Sequence, residues 1–336
     1  MSLYRPVEIG KVSLPGNIFL APVAGYSDRA FRSVCVEQGA DFTCTELVSS
    51  EALTRDSRKT EALIRRADNE KIYAVQLFGS DPDTMAKATA LLAPFRPEVV
   101  DLNCGCPVPK VIKTGAGAAL SRDPARLGRI VEAMVRASTQ HLGGVPVTVK
   151  IRSGWDGNSI NYCESARIAV EAGAVLVALH ARTRVQGYAG KADWSHIADL
   201  VTRIQVPVIG SGDLFSPEAA ERMLRETLCA GLMFARGAMG NPFIFAETKD
   251  LLLRGSYEPV PSVERMRTAI RQLELLTDDA GEEFACREMR KQFCAYSKGI
   301  PGGAAVRNKL VRAATISEYR EILALANMLP DSSVSR

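Results

Sequence analysis

Cys106 stands in the stretch DLNCGCP, residues 101 to 107, between Gly105 and Pro107. A thiol there is a proton donor, a nucleophile, a metal ligand, half of a disulfide or a packing residue. An unperturbed thiol has a pKa of about 8.5, so at neutral pH it is mostly protonated and able to give a proton; nearby cations would lower that value and make it a nucleophile. Pairing with Cys104 is poor, because a single intervening residue strains a disulfide. Metal ligation has little support: there is no C-x-x-C pair, and the three histidines, His141, His180 and His196, are far apart in sequence.

Other reactive types recur at the ends of apolar runs. Lys150 and Arg152 close VTVKIR, and His180 and Arg182 follow VLVAL. A lysine in such a place forms a Schiff base when desolvated, or stays charged against the electron-rich pyrimidine edge of a reduced flavin. Gln76 offers hydrogen bonds to an isoalloxazine edge. The loops GSGD (210 to 213) and ARGAMGNP (235 to 242) combine small residues with Arg236. They read as an anion site, with backbone N–H groups, a fixed positive charge and a helix dipole directed at a phosphate. A phosphorylated substrate and a phosphate-bearing cofactor such as FMN both suit it, and tight-turn glycines are the plainer explanation.

Eight short apolar or β-branched runs carry these residues: 18 to 23, 42 to 47, 73 to 78, 99 to 104, 147 to 152, 175 to 181, 207 to 211 and 231 to 236. Helical patterns separate them, and Asp81-Pro82, Asp123-Pro124 and Ser216-Pro217 each place a side-chain cap before a proline suited to a first helical turn. Alternation of strand and helix predicts a parallel sheet buried on both faces. Eight such units give an α/β fold, a (β/α)8 TIM barrel, whose chemistry gathers where the strands end at the C-terminal face. A doubly wound sheet is the competitor, but G-x-G-x-x-G is missing after the first strand.

The chain has 336 residues, 46% apolar and 24% charged, a globular composition. No apolar run approaches the roughly 20 residues that span a bilayer, and the N-terminus lacks the apolar centre of a secretion signal, so an intracellular protein is expected. The eight cysteines show no repeated spacing, which argues against a disulfide framework. The expected organisation is a barrel over residues 1–250, a linker over 251–261 and a small C-terminal helical domain over 262–336. Val263, Met266, Ile270 and Leu273 follow helical spacing, as do Ala285, Met289, Phe293 and Tyr296. Between 286 and 312 lie Arg287, Arg290, Lys291, Lys298, Arg307, Lys309 and Arg312 against Glu288 alone, although the whole chain carries only +4. A basic stripe of this kind is either a solvated helix face or a phosphate-reading surface.

The segments APVAGYSDRAFR, QLFGSDP, DLNCGCPVPKVIKTGAGAAL, VKIRSGW, HARTRVQGYAGKADW, IGSGD and ARGAMGNPF resemble, in order and over nearly the whole chain, the FMN-dependent, bacterial-type tRNA-dihydrouridine synthases. The resemblance implies reduction of the C5=C6 bond of specific uridines in tRNA, in the D-loop, with FMN as bound cofactor and NADPH or NADH as reductant. Cys106 resembles the family's catalytic cysteine, which donates a proton to C5 while reduced FMN gives a hydride to C6. Pro22, Val23 and Ala24 match the segment along the flavin, and Gln76, Lys150 and His180 the contacts to its ring edge. Ser211, Gly212, Asp213, Ala235 and Arg236 match the phosphate-side loops. Asn103 and Arg182 match positions near the target base, and Arg287, Arg290 and Lys291 are expected to meet the RNA backbone. A target base inside folded RNA has to leave its stack to enter a barrel mouth. The implied protein is a cytoplasmic monomer with tRNA and NADPH as partners, no metal and no membrane.

Val23, Ser211 and Ala235 depart from the family's methionine, asparagine and glycine. Ser211 keeps a backbone N–H but puts a side-chain bond in doubt, and Ala235 matters only if the glycine uses positive φ. Three other readings compete: a Schiff-base aldolase using Lys150, an FMN-dependent, dihydroorotate-type dehydrogenase acting on a free pyrimidine, and a non-catalytic RNA-binding barrel.

Overall fold

The computed structural model describes residues 2–55 and 58–329. Eight short strands form its centre: β1 (Ile18–Leu20), β2 (Thr43–Cys44), β3 (Tyr73–Phe78), β4 (Val99–Cys104), β5 (Val147–Arg152), β6 (Val177–His180), β7 (Val208–Ser211) and β8 (Gly231–Phe234). From β2 to β8 each pairs in parallel with its sequence neighbour, and β8 returns to β1 with Leu232 opposite Ile18 and Phe234 opposite Leu20. A parallel bridge between Phe19 and Phe42 closes the ring, with the Leu20 N–H donating to the Phe42 carbonyl at 2.8 Å. This is the expected (β/α)8 barrel.

The helices begin where the sequence places their caps. The side chains of Asp81, Asp123 and Ser216 accept from the N–H groups of Thr84, Arg126 and Ala219, and a proline occupies the first turn each time. The helix Pro124–His141 buries Leu127, Ile130, Val131 and Met134, and these join the strand residues Val100, Leu102, Val149 and Ile151 in one core.

Three features differ from the sequence reading. The run 42 to 47 holds only a 2-residue strand. The Thr45 hydroxyl takes the N–H of Gln76, and the chain leaves the ladder until Val48–Ser49 pairs again with β3. An antiparallel hairpin, Val7–Ile9 with Val12–Leu14, precedes the barrel and has no counterpart in that reading. Its Gly10, at φ +58°, sits against Pro146 and Val175, the residues just before β5 and β6, so the hairpin covers the face opposite the strand ends. The last barrel helix runs to Arg254, past the boundary read at 250, and stops at Gly255 in the left-handed conformation.

Four helices follow: Ser262–Ala280, Glu282–Tyr296, Gly303–Leu310 and Ile316–Leu325. They share a separate core in which Met266, Ile270 and Leu273 meet Met289, Phe293 and Tyr296. Tyr319 stacks on Phe293 at 4.5 Å and its hydroxyl donates to the Cys286 carbonyl. Ala30 and Phe243 of the barrel unit belong to the same cluster, and a Cβ on Gly240 would strike the Ala295 backbone. The helical segment therefore seats directly on the β1 and β8 sides of the barrel. Of the segment read at 262–336, residues 330–336 lie outside the described residues. Among the described residues no helix is long and apolar enough to cross a membrane.

Candidate active site at the barrel mouth

The C-terminal ends of the strands surround a cavity of about 280 Å³. Pro22, Val23 and Ala24 form one wall, held in a turn in which Ser27 accepts from the Val23 N–H and donates back to its carbonyl. Met233 adds apolar surface, while Lys150 and His180 present nitrogen. Asn103 and Cys106 stand at the edge from β4, and the β7 and β8 loops close the far end.

Cys106 is half-buried in a tightly specified loop. The Asn103 side-chain oxygen accepts from the N–H groups of Gly105 and Cys106, at 3.2 and 2.9 Å. Arg152 Nε donates to the Gly105 carbonyl at 2.7 Å, and its Nη1 to the carbonyls of Thr183 and Gly187. Gly117, at φ +62°, lets the chain pass the Cys106 carbonyl, where a Cβ would come within 2.9 Å. Burial raises the Cys106 thiol above its usual pKa, against smaller opposing effects from the Val108 N–H, Arg152 and Lys150. The group stays a protonated thiol at neutral pH, an acid rather than a nucleophile.

Burial first, and then the Arg152 charge, lower Lys150 to about 8, while Asp101 beneath it, Cys44 and Cys106 oppose them. The same causes, burial followed by Lys150, Arg152, Arg182 and Arg236, hold His180 far below the usual imidazole range. His180 is thus neutral. Arg182 Nη1 lies 3.4 Å from its Nε2, and because a guanidinium only donates, that nitrogen is the acceptor and Nδ1 carries the proton.

The far end is built for an anion. The Arg236 guanidinium lies over the rings of Tyr188 at 4.4 Å and Phe215 at 5.1 Å. A Cβ on Gly237 would lie 2.0 Å from the Leu214 carbonyl oxygen, and one on Gly212, at φ +125°, 2.7 Å from Ala192 Cβ. Glycine lets the chain pass the Leu214 backbone at one position and the Ala192 and His180 side chains at the other. Asp213, itself at φ +56°, spends its carboxylate on Arg182, on the Ala192 N–H and on a longer contact to Arg236. Its part is to hold the arginine, while its loop supplies backbone. The Ser211 hydroxyl donates to the Met233 carbonyl and so ties β7 to β8. Ala235 has φ −118°, outside the left-handed region, so the positive φ that would have required glycine does not arise here.

Two of the expected site residues turn away from the cavity. Gln76 is fully buried, donating to Asp101 and accepting from Asn103. Arg182 is buried at 2% exposure and donates to Ala189, Gly190 and Asp213, which makes it the pin of the loop carrying Tyr188. On the helix Glu282–Tyr296, Arg287 is exposed beside Phe284, whereas Arg290 turns towards the Ala313 carbonyl at 3.5 Å. Lys291 pairs with Glu288 and lies 5.2 Å from the Tyr26 ring, next to Gly25, so of the three it reaches the barrel mouth. Tyr188 and Phe215 escaped the sequence reading. Their signal was an aromatic flanked by glycines in RVQGYAGK and one two positions after GSGD.

The family model described as dihydrouridine synthase matches residues 19–329. The chain belongs to the dihydrouridine synthase family. It is 52% identical over 327 residues to a probable tRNA-dihydrouridine synthase of Treponema pallidum, covering 96% of each chain. To tRNA-dihydrouridine synthase B of Pseudomonas aeruginosa it is 36% identical, covering 91% of each. Among solved structures, an old yellow enzyme homologue from Zymomonas mobilis is similar with a TM-score of 0.53 and 12% identity, covering 79% of this chain and 96% of that one. Histamine dehydrogenase from Rhizobium sp. 4-9 gives a TM-score of 0.58 and 15% identity, over 81% of this chain and 51% of that one. At such identities the likeness is one of fold. Membership in the dihydrouridine synthase family sets aside the aldolase and the non-catalytic readings of the barrel.

Proposed function

We propose that this dihydrouridine synthase family member reduces the C5=C6 bond of uridines in the D-loop of tRNA, with Cys106 as proton donor and FMN as the resident cofactor. The observation that carries the reading is the Cys106 thiol, kept protonated by burial at the edge of a cavity whose other end is an anion site.

The residues present suit FMN. Lys150 lines the cavity and can meet the electron-rich edge of a ring there. Pro22, Val23 and Ala24 offer an apolar wall. Arg236 and the glycine-lined β7 and β8 loops suit the phosphate. When bound, reduced FMN, replenished by NADPH or NADH, supplies a hydride to C6 of the uracil.

Everything else falls to this chain. Cys106 gives its Sγ proton to C5, completing addition of two hydrogens, and recovers it from water. Lys150 stabilises developing negative charge, and neutral His180 donates through Nδ1 without adding a further buried charge. Asn103 lines the cavity beside Cys106 and, with its oxygen and one N–H committed within the protein, offers its remaining N–H to the base. The target uridine swings out of its stack to enter the mouth, and the helical unit from 262 onward, with Arg287 and Lys291, holds the RNA backbone. At the rim, Trp155 has the guanidinium groups of Arg122 and Arg184 at 4.9 and 4.7 Å, an aromatic and cationic pairing of the kind single-stranded RNA stacks on. The protein acts as a monomer in the cytoplasm.

The test is incubation of the purified protein with unmodified tRNA and NADPH, followed by mass mapping of nucleosides. A gain equal to two hydrogens on D-loop uridine is expected. A colourless protein that takes up no FMN when it is supplied in excess overturns the reading, and reduction of free uracil or orotate but not of tRNA would point to the free-pyrimidine enzyme.

A further inference from the structure

Beneath the cavity runs a chain of buried polar groups. The N–H groups of Gly105 and Cys106 donate to Asn103 Oδ1. Asn103 Nδ2 donates to Gln76 Oε1 at 2.7 Å, Gln76 Nε2 donates to Asp101 Oδ2 at 2.7 Å, and the Thr148 hydroxyl donates to Asp101 Oδ1 at 2.5 Å. Asp101, Gln76, Asn103 and Thr148 are all buried. They come from three adjacent strands, β3, β4 and β5, with Gln76 opposite Asp101 and Asp101 opposite Thr148 in the ladders.

The direction of every bond in this chain is forced from its ends. Backbone N–H groups only donate, so the Asn103 oxygen has to face the Cys106 loop and its NH2 has to face Gln76. A carboxylate only accepts, so the Gln76 NH2 has to face Asp101 and its oxygen has to face Asn103. Both ends demand the same order. Without Asp101 the order rests on the loop N–H groups alone, and nothing at the far end opposes a reversed Gln76, which would set NH2 against NH2 at Asn103.

We propose that Asp101 is a positioning residue: through Gln76 it fixes which way the Asn103 amide points, and through Asn103 it fixes the Cys106 loop. This deepens the proposed reaction and rests on Cys106 being its proton donor. Asp101 itself touches neither the cavity nor the thiol. The titratable groups around it are Lys150 on β5, Cys44 on β2 and Cys104 on β4.

The polarity of the chain can be rewritten, which separates orientation from mere packing. Gln76→Glu places a carboxyl between the Asp101 carboxylate and the Asn103 NH2. While the two carboxyls share a proton, the introduced one donates to Asp101 and still accepts from Asn103; once that proton leaves at higher pH, the carboxylates repel. Adding Asp101→Asn restores every bond. The new amide at position 101 then donates to the carboxylate at position 76, that carboxylate accepts from Asn103, and the amide oxygen at 101 accepts from Thr148. The experiment compares wild type, Gln76→Glu and Gln76→Glu/Asp101→Asn across pH, reading single-turnover uridine reduction in tRNA. The rate of Cys106 alkylation by iodoacetamide, followed by peptide mass, is read alongside and needs no substrate.

At alkaline pH the single variant is expected to lose at least about tenfold in reduction rate and to change its alkylation rate, and the double variant to return both to within about threefold of wild type, since small misplacements cost this much. A double variant no better than the single one, or a single variant like wild type at every pH, overturns the proposal. Should Gln76→Glu fail to fold, Asn103→Asp with and without Asp101→Asn asks the same question with the Gln76 amide reversed, read by the Cys106 alkylation rate alone because Asn103 also faces the base. If wild type reduces no uridine, the proposed function fails while the alkylation comparison still decides the role of Asp101.

Discussion

Arg182 and Asp213 lock together through two hydrogen bonds of 2.8 Å, although they lie on successive loops of the barrel. With the Arg182 side chain at 1% exposure, this pair fastens the Tyr188 loop to the phosphate-side loop. Removing the guanidinium strips the Ala189 and Gly190 carbonyls of their donor and leaves Asp213 only the Ala192 N–H and the longer Arg236 contact.

Arg182→Ala is therefore expected to cost about 1–3 kcal/mol of stability, the usual effect of leaving buried acceptors without a partner. Arg182→Lys should recover only part of it, because a single ammonium that reaches Asp213 cannot also serve the Ala189 carbonyl that Nε holds. Urea denaturation checks both. An Ala variant as stable as wild type would sink the assignment.

Cys106→Ala should keep the flavin and lose about 10²–10⁴-fold in the rate of uridine reduction, the range for removal of a general acid. In wild type, burial holds the thiol above its usual pKa, so iodoacetamide should label Cys106 slowly at neutral pH and faster only as the solution becomes alkaline. Rapid labelling at pH 7 would contradict the protonated thiol.

Lys150 carries a testable sign. Folded, it releases its proton near about 8, against 10.5 for an unperturbed lysine. Between those values the unfolded chain binds more protons than the folded one, so the stability of flavin-free protein should rise with pH across this window and be flat below it. Lys150→Met should remove the rise. Equal pH dependence in the two proteins would show that the amine is not depressed.

The helical unit makes a prediction about salt. If the exposed Arg287 and Lys298 each meet one phosphate, as proposed, Arg287→Gln and Lys298→Gln should each weaken tRNA binding and reduce the slope of log affinity against log salt by about 0.7–0.9. Arg290→Gln should leave the slope nearly unchanged and lower stability instead, because its guanidinium is half-buried against the Ala313 carbonyl. A titration series at several salt concentrations distinguishes them.

The barrel was legible because its signals are local. Asp81, Asp123 and Ser216 announced their helices within a single turn, and strands buried on both faces read as unbroken apolar runs. The hairpin Val7–Ile9/Val12–Leu14 was too short to show a period. Thr45 broke its strand through a bond to Gln76 that no local pattern announces.

Residue order and type alone determined the eight-stranded barrel, the end at which its chemistry gathers, the thiol at Cys106 and the basic helix after 281, because period, capping and composition act over a few neighbouring residues. Only the tertiary structure decided what each polar strand end does. Gln76 and Arg182 spend their donors inside the protein, on Asp101 and Asp213, while Lys150 lines the cavity. The partners that make this choice lie 25 and 31 positions away in the chain, and closure of the barrel is what brings them within hydrogen-bond reach.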